Sequence, residues 1–297
     1  MPRPPSRRAP SSGLSAADRA RLRYASGLRR PDPAAPLFAA DSITRQVNRE
    51  AVLLLGGGRA LLLQIAHPLV AAGVAAHSRF EREPLQRLWR TLDLTLTIVF
   101  GTAGEALAAV HGIERAHAHV HGKLTAARGP FRRGTPYDAN HPALQLWVHA
   151  TLVDSALLAY QRFVAPLSPA AQRTFYDESR RTARLFGLPA EMIPATLDDF
   201  RIYMRDMLRG ATLSVGPEAR AIAAALLSPP LPPGLRQLAG ATRLFTVGLL
   251  PARIRARYGY DWGPLRERGL EIAALALRAG APLLPAALRL FPHARRP

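Results

Sequence analysis

Leucine and alanine recur at three- and four-residue intervals through most of this chain, while sustained period-two runs of β-branched residues are scarce. That periodicity predicts an all-α fold of roughly ten to twelve helices. A capped start is legible at Ser15-Ala16-Ala17-Asp18. A helix is expected over residues 44–55, then the triplet Gly56-Gly57-Gly58, then a second helix over 59–66 that Pro68 should end or kink, with a restart over 68–77. Residues 84–100 open on Pro84 and close at Gly101, and residues 104–124 follow with histidines along their second half, so the two should form a helical hairpin. Beyond a Gly- and Pro-rich loop at 129–142, helices are predicted over 143–163, 169–186, 197–208, 217–226 and 234–247, with two more near the C-terminus.

No repeat of fixed period interrupts this pattern, and no extended linker lies inside residues 40–290. The expected organisation is a disordered, basic lead over residues 1–14, a single multi-helix domain over 15–291 and a tail over 292–297. Hydrophobic residues make up 48% of the 297 and charged residues 21%, which fits a globular chain and excludes a fibrous or wholly disordered one. No apolar signal region follows the start, so the expected location is the cytoplasm, with peripheral contact at a membrane left open. The most apolar stretch, residues 60–76, is interrupted by Gln64, His67 and Pro68 and is too short and polar for a membrane span.

Composition narrows the chemistry further. There are no cysteines, which excludes disulfides, thiolate zinc sites, cysteine-ligated iron–sulfur clusters and cysteine nucleophiles. Of 40 basic residues only Lys123 is a lysine, so lysine-based covalent or general-base catalysis is disfavoured too. The net charge of +19 is concentrated at the ends, with 10 basic and 4 acidic residues in positions 1–50 and 9 against 3 in positions 251–297. This arginine-rich periphery suits an anionic surface, but no RNA-module aromatic signature, zinc finger or recognition helix accompanies it, and specific nucleic-acid binding is not expected.

The glycine triplet is neither a dinucleotide fingerprint nor a phosphate loop, and its simplest reading is close approach of helix backbones. Eight of the nine histidines lie within residues 67–149, a concentration that could build iron chemistry, although each taken alone reads more simply as structural or solvent-facing and the run His117–His121 could be a solvated face. On a continuous helix His117 and His121 would share a face, with Glu114 one turn before His117. Two iron readings follow. Glu114-Arg115-Ala116-His117 has the spacing of half a di-iron carboxylate site, for which only Asp138-Ala139-Asn140-His141, in a loop, offers a second half. Alternatively, one histidine supplies a neutral imidazole to a haem iron in an apolar cavity, with arginines nearby. Spacing alone does not choose the ligand. Arg87 and Thr91 lie one helical turn apart, where a guanidinium and a hydroxyl could bind a polar oxygen species or make ordinary surface contacts. His149, in an apolar helix, should be buried and in need of a partner, and Asp154 is poorly spaced to be it.

The run from Arg49 through Gly56-Gly57-Gly58-Arg59, Gln64 and His67-Pro68 to His77-Ser78, followed by Arg87-x-x-Arg90-Thr91, His117 and Trp147-Val148-His149, resembles a known set. It is similar to the bacterial branch of the oxygenase catalytic-domain family that includes the latex-clearing proteins (rubber oxygenases) and the endoplasmic-reticulum oxygenase of mycophenolic acid synthesis. The resemblance covers about residues 40–250 and implies a globin-reminiscent helical fold that holds haem b. It implies His117 as the axial ligand and Arg87 and Thr91 beside the dioxygen pocket; His149 would then either orient the haem environment or satisfy a polar contact in the core. Where latex-clearing proteins carry a lysine able to approach the iron, this chain has Arg90, whose guanidinium stays charged and is a poor neutral ligand. The implied activity is oxidation of a hydrophobic small molecule, an alkene among the candidates, with dioxygen and an unidentified electron donor. The alternative is a non-catalytic helical binder of a lipophilic ligand or a membrane surface.

Overall fold

A computed structural model describes residues 14–77, 84–228 and 236–295, and of residues 84–90 and 236–239 only the helical backbone. The lead expected over residues 1–14 therefore lies almost wholly outside the described residues. Within them the chain is all-α, with fourteen α-helices and one two-stranded sheet.

Helix α1 (Ala16–Ser26) starts at Ser15, whose hydroxyl accepts from the Asp18 amide, as the sequence predicts. The region expected as one helix over 44–55 is divided instead. Helix α2 (Ile43–Asn48) stops at Arg49, a single 3-10 turn covers Ala51–Leu53, and α3 (Leu54–Ile65) runs straight through the glycine triplet. Glycine's poor helix propensity is overridden by packing. A β-carbon at Gly56 would sit 3.1 Å from the Ser155 carbonyl oxygen, and one at Gly58 would sit 2.2 Å from the Thr246 hydroxyl. The glycines thus let α3 lie directly against α7 (Pro142–Phe163) on one side and α11 (Arg236–Gly248) on the other. Close backbone approach was the expected role, but a break in the helix does not occur.

Pro68 does end α3. Helix α4 (Pro68–His77) leaves at 104° to the preceding segment. Helices α5 (Pro84–Phe100) and α6 (Ala103–His117) form the expected hairpin, closed by Gly101 and by a capping box between Thr102 and Glu105. However, α6 ends at His117, seven residues short of the expected limit. The Val120 amide donates to the His117 carbonyl, and His121–Lys123 becomes strand β1, antiparallel to β2 (Pro136–Asp138). The strand register places Gly122 opposite Tyr137, whose hydroxyl would lie 2.6 Å from a β-carbon at that position.

The remaining helices are α8 (Pro169–Leu185), α9 (Leu197–Arg209) and α10 (Pro217–Leu227), close to the predicted positions, then α12 (Ala252–Tyr258), α13 (Pro264–Gly280) and the short α14 (Ala286–Arg289), three where two C-terminal helices were expected. Helix α7 is the axis of the molecule. Its buried Trp147, Ala150, Val153, Leu157 and Tyr160 join Leu62, Leu63 and Ile65 of α3 and Phe175, Tyr176, Phe200 and Met204 of α8 and α9 in one core. Trp147 Nε1 donates to the Leu63 carbonyl and Tyr258 Oη to the Leu62 carbonyl, so the C-terminal end of α3 is held by side chains as well as by packing. No single helix among the described residues is long and apolar enough to cross a membrane.

Candidate functional site

The C-terminal ends of α4 and α6, the β1–β2 hairpin and the start of α7 meet at one end of the bundle. Tyr137 joins them. Its ring packs against Gly73 of α4 and lies edge-on to His77 at 6.2 Å between centroids, and its hydroxyl is 3.4 Å from His77 Nε2. Val120, just after α6, also touches Gly73 closely enough that a β-carbon there would be 3.2 Å from it.

Most of the histidines that crowd this part of the sequence have local structural work. His67 Nδ1 accepts from the Leu69 amide at the start of α4, and its ring packs on Phe131. His77 Nε2 lies 3.1 Å from the His121 carbonyl oxygen. His141 Nδ1 accepts from the Ala143 amide and caps α7. His111 pairs with Asp18 and His293 with Asp93. His119 and His121 have exposed side chains, and the end of α6 at His117 removes the helical face that His117 and His121 were expected to share.

His117 and His149 complete the set. His117 occupies the last turn of α6, half-buried, with its Nδ1 shielded from solvent. His149 lies midway along α7 and has no hydrogen-bond or ion-pair partner among the described residues, so the partner expected of a buried histidine is missing. Burial pushes its imidazole down to about 4. The ring nevertheless keeps part of its surface accessible, as do Gln145, Val148, Leu152 and Ala156 along the same stripe of α7. His149 is thus half-buried yet strongly desolvated, on a helix that otherwise faces the core. An imidazole held neutral and without a protein partner fits a site for a bound group.

Arg87 and Thr91 both lie on α5, one turn apart, as the sequence requires. Thr91 is exposed and its carbonyl accepts from the Thr95 hydroxyl, while the Arg87 and Arg90 side chains lie outside the described residues. The di-iron reading is corrected. Glu114 accepts two hydrogen bonds from Arg21 of α1, at 2.8 and 3.0 Å, rather than facing a metal with His117. Asp138 caps the loop at Asn140, and no group of three or more histidine or acidic side chains among the described residues could hold a metal ion.

Sequence reasoning missed one buried polar centre. Arg59, directly after the glycine triplet and only 5% exposed in its side chain, donates to the Leu249 carbonyl at 2.8 Å, to the Ser155 hydroxyl at 2.6 Å and to Asp154 at 2.6 Å. It therefore ties α3 and the end of α11 to the helix that carries His149. A lone arginine inside the apolar run 52–66, with an aspartate inside the apolar run 143–160, was the available signal.

These residues fall within a match over residues 44–279 to the model of the family described as the ER-bound oxygenase mpaB/B′ and rubber oxygenase catalytic domain. The chain belongs to this family. Two curated relatives, the uncharacterized proteins Mb2261 of Mycobacterium bovis and Rv2237 of Mycobacterium tuberculosis, are each 26% identical to it over 232 residues, 76% of this chain and 87% of theirs. No solved structure gives a significant match.

The titration of His67, only 5% exposed, has a direct thermodynamic consequence. Burial pushes its imidazole from 6.5 down to about 4. Between those values the unfolded chain binds a proton that the folded chain refuses, so stability falls as pH falls; above 6.5 the group is neutral in both states and adds no slope. The loss approaches about 3 kcal/mol at the acid end. His67→Asn retains an acceptor for the Leu69 amide. Urea unfolding compared at neutral pH and at about pH 4.5 should show a shallower acid loss in this variant than in the wild type.

Proposed function

We propose that this chain is a haem-b-dependent oxygenase that uses dioxygen to oxidise a hydrophobic small molecule, an alkene among the candidates. Membership in an oxygenase catalytic-domain family carries the oxygenase reading. The cofactor reading is supported by His149, a desolvated imidazole without a partner midway along the central helix.

When bound, haem b would supply an iron centre that takes up and activates dioxygen. In this reading His117, at the end of α6, would hold the haem iron and His149 would border the cofactor from α7. Being neutral at working pH, the His149 ring can donate one hydrogen bond and accept another without placing a charge beside the cofactor. Arg87 supplies a permanent positive charge and Thr91 a hydroxyl from one side of α5, both suited to donating to a polar oxygen species. Arg90 cannot replace a neutral amine ligand, because its guanidinium does not give up its proton. The apolar positions Val148 and Leu152 beside His149 favour a greasy substrate.

Oxygen-electrode traces with haem-replete protein, a chemical reductant and a lipophilic alkene should show uptake that depends on the alkene, and Arg87→Leu should slow it by about a hundredfold. Ligand-dependent stabilisation without oxygen uptake would instead identify a non-catalytic binder.

A further inference from the structure

Helix α13 is apolar on two opposite faces. Leu270 and Ala274 are buried against Phe163 of α7 and Phe245 and Leu249 of the α11 region. The other face carries Leu265, Ile272 and Leu275 at helical spacing, exposed to 84%, 67% and 65%. The apolar surface continues past the helix end through Leu283, Leu284 and Leu288. Six of the nine exposed large aliphatic side chains among the described residues thus fall within residues 265–288. Scattered single leucines would need no explanation, but a contiguous concentration of this kind marks an interaction surface.

We propose that this face docks on the surface of an anionic lipid bilayer. Charge selects that occupant. Residues 251–297 hold nine arginines against three acidic residues. Of the three, Glu267 is engaged by Trp262, Arg162 and Arg255. Arg268 lies within the exposed stripe, has an exposed side chain and no carboxylate partner among the described residues, whereas Glu271 sits at the stripe's edge. A second copy of the chain would bring Arg268 against its own copy, with a net charge of +19 on each molecule, which opposes self-association. Anionic headgroups offer the opposite sign, and the interfacial acyl region accepts the leucines. Five charged residues within α13 (Arg266, Glu267, Arg268, Glu271 and Arg278) make lying on the surface the suitable mode, not spanning.

The test is co-sedimentation of the full chain with phosphatidylcholine vesicles prepared with and without phosphatidylserine. Wild-type protein should pellet with the phosphatidylserine vesicles, more weakly with phosphatidylcholine alone, and less as salt is raised. The double variant Ile272→Glu, Leu275→Glu changes only exposed positions and should keep its thermal unfolding while binding about tenfold more weakly or worse. Arg268→Gln should bind more weakly and show a reduced salt dependence. Ile272→Leu with Leu275→Phe should bind as the wild type does. The proposal is overturned if the wild type ignores phosphatidylserine vesicles or if the double glutamate variant binds them equally well. It is also overturned if sedimentation velocity shows a wild-type dimer that the glutamates dissociate, because the occupant would then be a second copy.

Discussion

Asp154→Ala should lower the unfolding free energy by about 3–5 kcal/mol, read as a fall in the urea midpoint at unchanged slope. The reason lies in what remains after the substitution. Arg59 keeps its hydrogen bonds to the Leu249 carbonyl and the Ser155 hydroxyl, but its guanidinium, 5% exposed, loses its counter-charge inside the core. Arg59→Met removes the other partner and leaves Asp154, which is 29% exposed and can recover hydration. That variant should fall at the lower end of the same range, about 3 kcal/mol. The asymmetry is diagnostic, because a mere loss of packing would make the larger arginine the costlier deletion. Since Arg59 fastens α3 to α7, both variants should also weaken retention of whatever His149 borders.

A comparable loss, about 3–5 kcal/mol, is expected for Arg289→Ala. Glu50 is 1% exposed and accepts two hydrogen bonds from Arg289, each 2.8 Å, with a longer contact of 3.3 Å from Arg49. Without Arg289 the carboxylate keeps only the Arg49 contact in a site nearly closed to water. The same pair anchors the C-terminal segment, where Glu50 bridges to Leu290 and the Phe291 amide donates to the Arg49 carbonyl. Proteolytic nicking after residue 285 should therefore rise along with the loss of stability. Combining Arg289→Ala with Glu50→Leu should recover part of the deficit, because the stranded charge goes with it.

The two ionic centres also show where sequence reading stops. Helices were legible because their apolar periodicity is local, and Pro68, Pro84, Gly101 and Ser15 punctuate them by backbone chemistry that acts within a turn. Local propensity separates the glycine triplet from its flanking helices, whereas its helical state depends on α7 and α11, about a hundred and two hundred residues away. The partners Arg59–Asp154 and Glu50–Arg289 are equally remote in sequence and invisible to periodicity. Among the site residues, the spacing of Arg87 and Thr91 on one helix was fixed by sequence. Where α6 ends was not, since the hairpin that terminates it is set by Tyr137 packing over Gly122 and against Gly73. The histidines sorted themselves only in three dimensions: His67 and His141 as caps, His111 and His293 in ion pairs, His149 half-buried without a protein partner.

Haem-replete preparations of the full chain should show a Soret band that shifts on adding dithionite and again on adding carbon monoxide, and His117→Ala should lose both the band and the bound iron. A wild-type sample with no Soret band, or a His117→Ala sample with unchanged haem and iron content, would contradict the assignment of this site.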